Sequence, residues 1–153
     1  MGIKIINTNR KAYHEYFILE TLESGIALTG TEIKSIRAGK VNINDSFCRI
    51  KAGECFMENA FIAKYKEGNI FNHEEKRNRK LLLKKAEIRK WGTRLKLESS
   101  LTIVPLKIYL KEGLCKVEVG LAKGKKLYDK RETEKEKDQD LRSSKALKNA
   151  GLN

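Results

Sequence analysis

The chain has 153 residues, 33 of them basic and 20 acidic, giving a formal net charge of +13 at pH 7. That length suits one domain with an extension and excludes two full-sized cores. With 40% hydrophobic and 35% charged residues, the chain can bury a core beneath a strongly ionic surface, and no apolar run approaches the roughly 18 residues of a membrane span. The opening MGIKIINTNR lacks the apolar stretch of a secretory signal, and Ile6 stands where N-myristoylation requires Ser or Thr. A cytoplasmic protein without membrane attachment is therefore expected. Cys48, Cys55 and Cys115 form no CxxC pair, and with His14 and His73 they offer no zinc-ligand spacing. Neither a metal nor another cofactor is expected.

In chain order, the first strand signals are Tyr16-Phe17-Ile18-Leu19 and Ile26-Ala27-Leu28, with Ser24-Gly25 between them as hairpin chemistry. Residues 31–38 read as a helix capped by Thr31 and stopped at Gly39, with Ile33 and Ile36 inward and Glu32, Lys34, Ser35 and Arg37 outward. Residues 47–50 and 55–57 flank Lys51-Ala52-Gly53-Glu54, a second hairpin. Residues 78–97 read as a longer helix with Leu81, Ile88, Trp91 and Leu95 on one side, and with Gly92 as its weak point. Residues 101–110 and 114–121 flank Lys111-Glu112-Gly113, a third hairpin. Six or more short strands with two inserted helices predict an α+β, mainly β fold, a small closed or partly open barrel.

Composition changes after residue 122. Residues 1–122 hold 23 basic and 14 acidic residues, and residues 123–153 hold 10 and 6. The 12 residues from 129 to 140 carry no apolar side chain, and Leu141, Leu147 and Leu152 are too sparse for a buried stripe. Glu132/Lys135, Glu134/Lys137 and Asp138/Arg142 lie at helical spacing, each pair contributing about 0.2–0.5 kcal/mol. The expected organisation is a barrel body over 1–122 and a basic tail over 123–153, disordered alone and helical on a partner.

The sharpest electrostatic feature is the run from 76 to 96, with ten cations (Lys76, Arg77, Arg79, Lys80, Lys84, Lys85, Arg89, Lys90, Arg94, Lys96) against one acid, Glu87. On a helix whose Leu/Ile/Trp stripe is buried, those cations form a positive ridge complementary to polyphosphate. A second cluster, Lys123 to Lys126 followed by Tyr128-Asp129-Lys130-Arg131, sets an aromatic among cations, which suits base stacking and equally suits a junction whose Tyr caps the barrel. Glu32-Ile33-Lys34 with Asp45 is an E-x-K arrangement of the kind found in metal-dependent nucleases, so an RNA-processing enzyme is one alternative and a permanent ribosomal structural protein another. Composition alone favours a binder of structured RNA with a tail that orders on its target.

Five blocks narrow this reading. Residues 12–18 (AYHEYFI), 23–26 (ESGI), 30–40 (GTEIKSIRAGK), 77–83 (RNRKLLL) and 123–131 (KGKKLYDKR) stand in an order and spacing that resembles the SsrA-binding protein (SmpB) family of bacterial trans-translation. The resemblance covers residues 9–148. It implies an OB-fold-like antiparallel barrel with embedded helices and a C-terminal tail unstructured when free. It implies a monomeric RNA-binding adaptor of ribosome rescue rather than an enzyme. Such an adaptor binds the tRNA-like domain of tmRNA (SsrA RNA) and reaches the A site of stalled ribosomes in company with elongation factor Tu.

Roles carry over by position. Glu23, Leu82, Lys84 and Lys116 match family positions that hold the tRNA-like domain, with Arg77, Arg79 and Lys80 as further candidates from the basic run. Gly124, Lys125, Lys126, Tyr128, Asp129, Lys130 and Arg131 match the segment that enters the decoding centre, Asp129-Lys130-Arg131 being the family's DKR motif. The rest of the tail is implied to occupy the empty mRNA channel beside small-subunit RNA. Ser99-Ser100 depart from the family, which usually carries a Gly before the strand that contains Pro105.

Overall fold

Period-two alternation of apolar side chains builds most of this computed structural model, which describes residues 2–65 and 72–125. Among these residues nine strands and three helices follow in chain order: β1 (Ile3–Thr8), α1 (Arg10–Glu15), β2 (Tyr16–Ile26), α2 (Gly30–Arg37), β3 (Val41–Asn42), β4 (Phe47–Lys51), β5 (Glu54–Glu58), β6 (Phe61–Ile62), β7 (Arg79–Leu82), α3 (Lys85–Leu97), β8 (Leu101–Lys111) and β9 (Leu114–Gly124). The main sheet runs β1-β8-β4-β5-β7-β2-β9, and β9 also pairs with β8. That last pairing closes six antiparallel strands into a ring, so the expected barrel forms with β1 added along β8. β3 and β6 make a separate two-stranded sheet.

Two of the three expected hairpins are present. Lys51 pairs with Glu54 and Lys111 with Leu114, and the residues between them all have positive φ: Ala52 at 54°, Gly53 at 77°, Glu112 at 52° and Gly113 at 82°. These are the dihedrals of a type I′ turn, whose twist matches that of the flanking strands. The hairpin expected at Ser24-Gly25 does not exist, because β2 runs straight through it. Buried Ser24 donates its hydroxyl to the Val117 carbonyl at 2.9 Å, and Gly25 leaves room for Leu82, whose Cβ lies 3.3 Å from where a glycine Cβ would stand. Here Ser-Gly is strand chemistry, a cross-strand tie beside a notch.

The helices also begin elsewhere than the sequence suggests. Thr29, not Thr31, caps α2: its hydroxyl accepts from the Glu32 N–H, and the Glu32 carboxylate accepts from the Thr29 N–H, a capping box. Glu32 and Ser35 are buried rather than outward, while Gly39 at φ 78° ends the helix as expected. The segment 78–97 divides. Residues 79–82 are strand, with Arg79 and Leu81 inward, and the helix starts only at Lys85, where the Lys84 N–H donates to Glu87 at 2.9 Å. Gly92 does not interrupt α3.

The core contains Ile36, Ile43, Met57, Ile62, Leu81, Trp91, Ile103, Ile108, Val117, Val119 and Leu121. Trp91 plugs it from α3 and donates its indole N–H to Glu20 at 2.8 Å. A smaller apolar cluster of Ala12, Val104, Leu106 and Ala122 lies under α1, with Tyr16 and Ile18 at its edge. It exists because the pairing register slips in β2 between Ile18 and Glu20 and in β8 between Pro105 and Lys107, bulges that turn side chains to the other face. Both Cys48 and Cys55 are buried, and Cys115 is half-buried.

Candidate nucleic-acid interface

One outer face of the barrel collects the residues that the resemblance marks. Gly25 on β2 stands opposite Leu82 on β7 and Lys116 on β9, and Lys116 stands opposite Tyr109 on β8. Directly opposed residues of antiparallel strands share a face, so Leu82, Gly25, Lys116 and Tyr109 form one row across four strands. Glu23, two residues before Gly25, opens the next row opposite Glu118, itself opposite Lys107. Leu82 is 53% exposed on that face.

Glu23 is oriented rather than loose. Its carboxylate accepts from the Tyr109 hydroxyl at 2.6 Å and from Lys111 at 3.4 Å. The Tyr109 bond, with help from Lys111 and Lys116, holds its carboxyl below the usual carboxylate range. Burial, reinforced by Glu23, pushes the Tyr109 phenol up. Glu23 is thus an anion fixed in space, able to accept from a ribose hydroxyl or an exocyclic amine. Tyr109, itself buried, and Lys111 hold Glu23 in place and escaped the sequence reading, although the alternation Lys107-x-Tyr109-x-Lys111 puts them on one face of β8.

The basic run 76–96 does not form a single ridge. Arg79 is completely buried: its guanidinium donates to Glu32 at 2.7 Å, to the Ala60 carbonyl at 2.9 Å, and to the Glu74 and Glu75 carbonyls at 3.1 and 3.2 Å. It is therefore a scaffold residue and presents nothing to RNA. Arg77 also turns to Glu32, at 2.7 Å, with part of its side chain exposed. Lys80 pairs with Glu54 at 2.8 Å. Burial pushes the Glu32 carboxyl up, but the Arg77 guanidinium, the Thr29 N–H and Arg79 outweigh it and hold the group at about 2. Both Glu32 oxygens are therefore committed to cations and to the helix cap, which removes the E-x-K arrangement as a metal site. Asp45 is engaged by Lys11 instead.

The surface charge that remains belongs to α3. Among the described residues no carboxylate lies within ion-pair distance of Lys84, Lys85, Arg89 or Lys96, whereas Arg94 pairs with Glu20 at 3.0 Å. At the far end of β9, Gly124 stands opposite Tyr16. Lys125 donates to the Tyr13 carbonyl at 3.4 Å and sits 5.4 Å from the centre of the Phe17 ring. Lys126, Tyr128, Asp129, Lys130 and Arg131 lie outside the described residues.

Among the described residues no group of three His, Cys, Asp or Glu side chains converges as a metal site, and no helix is long and apolar enough to cross a membrane. Buried His73 is likewise occupied, since Nε2 donates to the Ile62 carbonyl at 2.9 Å and Nδ1 is hydrogen-bonded with the Thr31 hydroxyl at 2.9 Å.

Comparison with known proteins agrees with this fold. The family model described as SmpB protein matches residues 6–149. The chain is 55% identical over 148 residues to the SsrA-binding protein of Pelobacter propionicus, covering 97% of each chain. It is 59% identical over 131 residues to that of Desulforudis audaxviator, covering 84% of each. A solved chain from work described as "tmRNA-SmpB: a journey to the center of the bacterial ribosome" superposes with a TM-score of 0.67 at 51% identity, covering 85% of this chain and 91% of that one. The family match over residues 6–149 and the near-full-length identity above one half assign the chain to the SmpB family of SsrA-binding proteins.

Proposed function

We propose that the chain is an RNA-binding adaptor of ribosome rescue. It binds the tRNA-like domain of tmRNA through the outer face of the barrel and brings it, in company with elongation factor Tu, to ribosomes stalled in the cytoplasm. It catalyses no reaction of its own. The observation that carries this reading is the row Leu82–Gly25–Lys116 beside Glu23: an exposed apolar side chain, a cation and an immobilised acid on one face. A purely electrostatic RNA binder has no use for the acid or the leucine. A reader of RNA shape uses the cation for phosphate, the leucine for a sugar or base face and the carboxylate for a hydroxyl or amine. Residues 123–153 serve the second half of the task, with Gly124 and Lys125 leading Tyr128 and the Asp129-Lys130-Arg131 motif into the decoding centre and the remaining tail into the mRNA channel.

A titration at fixed moderate salt tests the first half. The full-length protein should prefer the tRNA-like domain of tmRNA over ordinary tRNA and over a hairpin of equal length. Glu23→Ala should weaken that binding about tenfold, the loss expected when a charge-assisted hydrogen bond disappears. Equal affinity for all three RNAs would reduce recognition to net charge. Truncation before Lys123 should leave this binding intact and abolish peptide tagging on stalled ribosomes, and parallel loss of both would refute the two-part division.

A further inference from the structure

The ring of the barrel is thinnest where β4 meets β8. Among the described residues that seam is a single pair, Cys48 opposite Ile103, whereas β4 and β5 are paired from Phe47 to Lys51. Residues of α3, β4 and β8 line a groove of about 370 Å³ along the seam, among them Cys48, Ile50, Gly92, Leu95, Leu101 and Thr102. Cys48 is 6% exposed and Cys55 not at all. On the hairpin Cys48 stands opposite Met57 and Cys55 opposite Ile50. Residues two apart on a strand share a face, so both cysteines point inward and lie diagonally across the two strands. Diagonal neighbours are within side-chain reach, and here the two sulfurs are hydrogen-bonded to each other.

A single buried cysteine is an ordinary core filler. Two in contact are also a reactive pair, because each is the partner that a disulfide requires. The Cys48 thiol donates to Cys55 and holds it below the usual thiol range, while burial pushes Cys48 up. Cys55 is therefore the member that ionises first. Cys115 offers an internal comparison: it is half-buried, and burial alone pushes its thiol up to about 11. We propose that Cys48 and Cys55 are an oxidisable dithiol, which a hydroperoxide entering along the groove closes into a cross-strand disulfide. The Cys55 thiolate attacks the nearer peroxide oxygen and the O–O bond breaks. The departing hydroxide takes up the proton that Cys55 had released, leaving water and a sulfenic acid. The Cys48 sulfur then attacks the Cys55 sulfur, the S–O bond breaks, and the Cys48 proton leaves with the sulfenic oxygen as a second water. Two thiols together lose two electrons, and one peroxide gains them. A covalent bond then fixes Cys48, the residue that pairs β4 with β8, to β5. In a reducing compartment such a bond is transient, so the seam responds to oxidant and recovers.

The test treats the reduced full-length protein with hydrogen peroxide under native conditions and reads a non-reducing tryptic map. Arg49 and Lys51 lie between the two cysteines, so cleavage there separates them unless a disulfide joins the peptides. The expected result is a peptide linked through Cys48 and Cys55 that dithiothreitol releases. The pair should close about tenfold faster than Cys115 is oxidised, although Cys115 is the more exposed thiol. Cys115→Ser should close the pair at the wild-type rate, with an intact mass lower by two hydrogens. Cys48→Ala should form no such link, and the wild-type map decides the matter even where that variant does not fold. Free thiols at Cys48 and Cys55 after Cys115 has been oxidised would overturn the proposal. A link that involves Cys115, or one that forms only in denaturant, would overturn it equally.

Discussion

Arg79 and Arg89 lie ten residues apart in one basic run, and their fates are opposite. Arg79 is sealed in the wall of the barrel with its fork divided between Glu32 and three backbone carbonyls. Arg89 stands on α3 among Lys84, Lys85 and Lys96, exposed and without a carboxylate partner among the described residues. The difference is the secondary structure each belongs to. On β7 alternate residues enter the core, and Arg79 takes such a position, with Glu32 meeting it there from α2. On α3 only the Ile88–Trp91 stripe is buried, and everything between faces water. Identical chemistry in sequence thus becomes architecture in one case and exposed surface charge in the other.

The largest expected effect comes from breaking the buried half. Arg79→Ala should lower stability by about 3–5 kcal/mol, the loss typical when one partner of a buried ion pair is removed and the other is left uncompensated, as read by denaturant titration. A change below about 1 kcal/mol would show that Arg77 alone satisfies Glu32. Acid should probe the same network next. The Glu32 carboxyl lies at about 2 against an ordinary 4.5. Its folded value is depressed, so its contribution is complete above about pH 4.5 and is lost as pH falls towards 2. At 1.36 kcal/mol per unit this is a loss of about 3 kcal/mol. In Glu32→Gln that part of the acid sensitivity should be absent, and an unchanged acid limb would place the acid-labile group elsewhere. The smallest effect on stability belongs to the exposed half. Arg89→Ala or Lys85→Ala should leave stability within about 0.5 kcal/mol, while each that touches phosphate lowers the salt slope of RNA binding by about 0.7–0.9. A variant that lost stability without any change of slope would erase the contrast between the two halves.

What could be read in the sequence follows the same division between local and distant causes. The turns at Ala52-Gly53 and Glu112-Gly113 were legible, because a type I′ turn is decided by the two residues that make it. The barrel class was legible from the number and spacing of strand signals, and the family blocks that contain Glu23 and Leu82 named residues that the sheet brings to one face. Ser24-Gly25 misled because its meaning depends on Val117, 93 residues away. The inward turn of Arg79 and Glu32 was hidden by a separation of 47 residues. The start of α3 was also obscured, since Leu81-Leu82-Leu83 fits a helix as well as a strand until the pairing of Leu81 with Cys55 and Ile26 decides it. The capping Glu87, three residues after Lys84, was the one local mark that would have placed the boundary correctly.

The doubled packing around β9 has a mechanical consequence. From Val119 to Ala122 the strand is buried on both faces, with the main core on one side and the cluster under α1 on the other, and it is hydrogen-bonded to β2 along one edge and to β8 along the other. A pull applied to the chain beyond Lys125 is directed along this strand. It meets two ladders of hydrogen bonds loaded together in shear, rather than one bond at a time as in unzipping. The end of the barrel that leads into residues 126–153 is therefore anchored along both edges of its strand, and tension on that segment is delivered to β2 and β8 together.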